Sequence, residues 1–133
     1  MPNKPIQIPN DRQIWQGEIA TYWFEQNVLV SLSKPPKRTV ALIQNNVTLV
    51  QKITQHTPVP LLIHLCDSPV PNKETRKFSS TQLPVIYKAM AMVSKPGLSQ
   101  LIMKVLFAIN PPPIPIKSFT KKHEALKWLQ QFV

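Results

Sequence analysis

Residues 59–67 read VPLLIHLCD, a short and nearly continuous apolar run that an aspartate closes. A run of this length with one polar interruption, His64, is how a strand covered on both faces of an α/β sheet reads. The pattern on either side agrees. Upstream, Pro35 and Pro36 break the chain and Thr39 can cap a helix whose apolar positions Val40, Ile43, Val47, Val50 and Ile53 recur at helical spacing. That helix is expected to end near His56, before Pro58. Further upstream, GEIATYWFEQNVLVSLSK (17–34) holds two β-rich stretches around Glu25, Gln26 and Asn27, an expected hairpin turn.

Downstream, Asn72 can cap a second helix that runs to about Gln82 and is expected to stop at Pro84. VIYKAMAMV (85–93) then sets Ala89, Ala91 and Val93 against Met90 and Met92, a strand whose small side suits a closely packed helix. The stretch from Leu98 to Ile109 is so apolar that it must be covered on more than one side, and a triple proline follows it. IPIKSF (114–119) reads as a last strand. Thr120 is expected to cap the final helix, in which Ala125, Leu126, Trp128, Leu129, Phe132 and Val133 form one face and Lys121, Lys122 and Lys127 the other. The order β, β, α, β, α, β, α, β, α predicts an α/β fold: a mixed, mostly parallel sheet of about five strands with an N-terminal β-hairpin and about four helices.

The 133 residues suit a single domain over 14–133, preceded by a Pro-rich lead-in over 1–13 that is expected to be flexible. Sixteen basic against 6 acidic residues give a formal charge of +10, which favours anionic partners: nucleic acid, an acidic surface or a phosphorylated ligand. The charge is dispersed, however. Its densest groupings are Lys34, Lys37 and Arg38, then Lys73, Arg76 and Lys77, then Lys121 and Lys122, and none is interleaved with aromatics as a nucleic-acid surface would be. Cys66 is the only cysteine, so no intrachain disulfide or thiolate zinc cage is open to the chain. A reducing, cytoplasmic setting and no membrane span are expected. Two glycines leave no room for a dinucleotide fingerprint or phosphate loop, and the few scattered acidic residues offer no carboxylate pair.

The stretches YWFEQNVLVSL, LLIHLCD, ETRKFSS, KAMAMV and the terminal SFT and EALKWLQQF stand in an order that resembles the STAS-like domains (sulfate transporter and anti-sigma factor antagonist). The likeness spans residues 18 to 133 and is greatest to small stand-alone bacterial members. It implies the same sheet and a regulatory, protein-interaction or small-ligand-binding role without catalysis or cofactor. In anti-sigma antagonists of this fold, a kinase phosphorylates a serine in a stretch resembling Asp-Ser-Ser-Gly at the start of the helix after the central strand. The matching residues here are Asn72, Lys73, Glu74 and Thr75. Both the acceptor serine and the glycine are missing, and Ser68, before Pro69, does not take over that role.

Ligands of open α/β sheets gather beyond the carboxyl ends of the strands. Asp67, Ser68, Ser94, Lys95 and Gly97 fall there, with Arg76 within reach, and together they form a candidate site for a small anionic ligand. Met103 and Phe107 are the candidate contacts of a homodimer, unless another part of the chain covers them. His64 and Cys66, two apart on one strand, could share a face, either as a nucleophile pair or as a buried, unreactive thiol beside a histidine. Charge-driven binding of nucleic acid or an acidic surface is the alternative to the binding-module reading. No metal site is expected.

Overall fold

The structure is a computed structural model that describes residues 6–106 and 112–133. Its elements run in the order β1 (Trp15–Gln16), β2 (Ala20–Glu25), β3 (Val28–Ser33), α1 (Val40–Thr54), β4 (Val59–His64), α2 (Lys73–Ile86), β5 (Tyr87–Val93), α3 (Leu98–Leu106), β6 (Ile116–Phe119) and α4 (Lys122–Leu129), with a closing 3-10 turn over Gln130–Phe132. The strands lie side by side in chain order as a six-stranded sheet. β1, β2 and β3 are antiparallel, and β3 to β6 are parallel. The sixth strand is β1, two residues that pair Trp15 with Tyr22 and are too short to leave an alternation in the sequence.

Parallel strands that advance in one direction by right-handed crossovers put their connecting helices on one face. α1, α2 and α3 accordingly share a layer over Tyr22, Leu29, Leu61, Met90 and Met92. α4 follows the last strand and covers the opposite face, where Ala125, Leu126 and Leu129 pack on Trp23, Val30, Leu62, Ala89 and Ala91. The two alanines are fully buried, so the small side of β5 is where α4 comes close. Glu25 fastens this helix to the sheet: its Oε2 accepts from the Trp23 indole at 2.7 Å and from Lys122 Nζ at 2.6 Å.

Several boundaries differ from the sequence expectation for physical reasons. The hairpin turn is two residues, Gln26 and Asn27, because Glu25 still pairs with Val28. Both turn residues have positive φ, 51° and 64°, as a type I′ turn demands. α1 ends at Thr54, and Gln55 and His56 leave it in the left-handed region at φ 55° and 60°. α2 does not stop at Pro84 but continues to Ile86, so β5 starts at Tyr87 rather than Val85. Proline costs the helix one backbone bond, yet the turn closes around it: the Tyr87 N–H donates to Leu83 O, and Ile86 is buried. At α4 the boundary residue is Lys121 with no side-chain cap, in place of the expected Thr120. Gly17, between β1 and β2, is required by close approach, since a Cβ there would meet Leu49 Cδ2 at 2.8 Å and Ala20 O at 2.9 Å.

Candidate functional site

The three-helix layer does not close on the sheet. Between them lies a cleft of about 350 Å³. Its floor is Leu61, Ile63, Met90 and Met92, and its walls include Val47 of α1, Leu83 and Ile86 of α2 and Ile102 of α3. The exposed members of the lining are Asp67, Ser68, Pro69, Val70 and Leu101, which sets the opening beside the β4–α2 loop and α3. That is the carboxyl end of the parallel strands, where open α/β sheets bind their ligands.

A polar wall interrupts the apolar lining on the α1 side. Ser31, Asn46 and Tyr87 face the cleft, and the buried Tyr22 hydroxyl donates to Asn46 Oδ1 at 2.6 Å. Burial raises the titration of both phenols, that of Tyr87 well above the ordinary tyrosine value, so both stay neutral hydroxyls. Arg38 completes this wall. Its Nη1 donates to the carbonyls of Lys34 and Pro36, and its Nη2 to that of Ile19 at 3.0 Å. Burial pulls its pKa down, opposed by the neighbouring Cys66 and Tyr22, but a guanidinium remains cationic. Among the described residues none of the ion pairs includes Arg38: they are Arg12 with Asp11, Lys95 with Asp67, and Lys122 with Glu25.

The residues expected at the site divide into two groups. Asp67, Ser68 and Arg76 line the cleft near its opening, with Arg76 steadied by a bond to Pro71 O at 2.7 Å. Ser94, Lys95 and Gly97 gather instead at the start of α3, joined to the first group by the exposed Lys95–Asp67 pair at 3.1 Å. There the backbone donors are already taken: the Gly97 N–H by Gln100 Oε1 at 3.0 Å and the Ser99 N–H by Ser94 Oγ at 3.2 Å. Met103 is half-buried against the sheet-side core, and Phe107 lies outside the described residues.

His64 and Cys66 are not brought together. His64 ends β4 on the α4 face, beside Lys122 and Glu25, whereas Cys66, beyond the strand end, lines the cleft on the other face. Arg38, Asn46, Ser31 and Tyr87 are cleft residues that the sequence reading did not assign, and Tyr22 stands behind Asn46. The available signal was Ser31 and Ser33, two polar residues on one phase of a strand whose other residues are apolar. Among the described residues no three His, Cys, Asp or Glu side chains converge as a metal site would require. Nor is any helix among them long and apolar enough to cross a membrane.

Comparison with known proteins agrees with this architecture. A family model described as a domain of unknown function, DUF7793, matches residues 22–133, and the chain belongs to that family. No curated protein sequence is significantly similar to the chain. Among solved structures, the chain is similar to an uncharacterised protein of the DUF3478 family from Shewanella loihica PV-4 with a SpoIIAA-like fold. The two share 18% identity at a TM-score of 0.59, over 92% of this chain and 98% of that one. The fold is therefore STAS-like, as the order of sequence stretches implied.

Proposed function

We propose that this DUF7793 domain is a non-enzymatic binding module that holds one small, largely apolar molecule in the cleft between its sheet and α1–α3. The observation that carries the reading is the cleft itself. Its volume of about 350 Å³ falls within the range of roughly 300–1,000 Å³ typical of small-molecule sites, and its apolar walls carry a few fixed polar groups, the usual composition of such sites. Asp67, Ser68 and Arg76 form the rim a ligand would pass, with Ser94, Lys95 and Gly97 as the outer edge of that rim. The placement of Cys66 in the cleft lining and of His64 on the α4 face favours binding over nucleophilic catalysis, because the thiol then has no imidazole base on its own side. Occupancy of a cleft roofed by α2 and α3 would alter the surface these helices show to a protein partner, which gives a regulatory role a physical route.

Fluorescence titration with N-phenylnaphthylamine, a neutral apolar probe, tests the reading. Wild-type protein is expected to bind it saturably at one site. Met90→Trp, which puts bulk into the floor, is expected to abolish that binding while thermal unfolding stays cooperative. Unsaturable binding, or equal binding by the two folded proteins, would contradict it.

A further inference from the structure

Arg38, a half-buried member of the cleft lining, has no ion-pair partner among the described residues. Arg38 carries five N–H donors, and three of them are held by the carbonyls of Ile19, Lys34 and Pro36, which leaves two without an acceptor among the described residues. Those three bonds fix the plane of the guanidinium but supply no negative charge. Asp67, the one carboxylate among the described lining residues, is already paired with Lys95. A half-buried cation that lacks a counter-ion is costly, and an anion that enters the cleft recovers that cost. The remaining lining is apolar, from Leu61 and Leu83 to Met90, Met92 and Ile102.

We propose that the natural occupant is a single-chain amphiphile with a carboxylate head, the head held by Arg38 against Ser31 and Asn46 and the chain lying on Met90, Met92 and Ile102. This rests on the ligand-binding reading above and assigns the chemical class of that ligand. A carboxylate fits because a guanidinium with two donors left presents a planar fork to a planar two-oxygen acceptor. The hydroxyl of Ser31 and the amide of Asn46 supply further donors on the same wall, and burial keeps Tyr22 and Tyr87 from becoming competing anions. A single chain fits because a cavity of about 350 Å³ has no room for the two chains of a membrane phospholipid.

The test is isothermal titration calorimetry of the full chain with decanoate, decanol and decyl phosphate, with wild type beside Arg38→Lys and Lys127→Gln. Decanoate is expected to bind at least about tenfold more tightly than decanol, the size of one charge-assisted hydrogen bond to a buried partner. Arg38→Lys is expected to shrink that preference, since an ammonium keeps the charge but loses the fork, and Lys127→Gln, an exposed position on α4 across the sheet, to leave it unchanged. Equal binding of decanoate and decanol overturns the role of Arg38 and leaves the cleft reading standing; failure of all three to bind overturns the cleft reading itself. A preference for decyl phosphate overturns the carboxylate assignment. If Arg38→Lys does not fold, the comparison of ligands on wild type alone decides.

Discussion

His64 shows how one residue can be plain in a sequence and its setting hidden. The strand VPLLIHLCD was legible from its apolar run, but its histidine could be placed only once α4 was known to lie over it. Burial, with a further contribution from Lys122 and against the pull of Glu25, pushes its pKa down from 6.5 to about 4, and its Nε2 has no hydrogen-bond partner among the described residues. The folded chain therefore refuses a proton that the unfolded chain accepts. The stability His64 contributes is complete above pH 6.5 and is lost as pH falls to about 4, a total of about 3 kcal/mol. Chemical denaturation at successive pH values should show this acid limb in wild type and a much flatter one in His64→Leu. The same limb in both would assign the effect to another group. Arg38 was hidden for a related reason. In sequence it is one of three neighbouring basic residues that read as solvated charge, and only the return of β2 beside β3 brings Ile19 O to its guanidinium.

At the scale of elements, most of the fold could be read because each helix and strand carries its own periodicity, and Thr39 and Asn72 do cap α1 and α2 through their side chains. The departures occur where local rules compete. Pro84 marks an end by propensity, but buried Ile86 and the Tyr87 N–H bond hold the last turn of α2 in place. The hairpin turn is another such compromise. Gln26 and Asn27 both sit at positive φ, a conformation that costs a residue with a Cβ roughly 1 kcal/mol and glycine very little. The double replacement Gln26→Asn with Asn27→Gly should therefore stabilise the domain by about 1 kcal/mol, seen as a rise of a few degrees in the thermal midpoint. The contact of Gln130 Nε2 with the carbonyl of residue 26 involves only backbone on that side and is kept. A lowered midpoint would mean that the turn is not the two-residue form described.

For the whole molecule, the central facts are the uneven cover of the sheet and the +10 charge. α4 closes one face tightly on alanines, while three helices over methionines and leucines leave a cleft on the other. This asymmetry was only half legible: the small side of β5 announced its helix, but an unfilled volume leaves no mark in a sequence. Charge and cleft make different demands on solvent. A ligand held by one half-buried guanidinium and apolar contact should lose only a modest factor of affinity between about 50 and 200 mM salt, whereas binding driven by several phosphates would fall by orders of magnitude over that range. Titrations of decanoate and of a mixed-sequence oligonucleotide at both salt concentrations separate the two modes. The central claim, that the cleft is the binding site, is tested most directly by amide NMR of the labelled protein during addition of decanoate. Saturable shifts are expected at Ser31, Asn46, Met90, Met92 and Ile102, with Ala125, Leu126 and Leu129 on the far face unmoved; shifts confined to surface lysines or to α4 would contradict it.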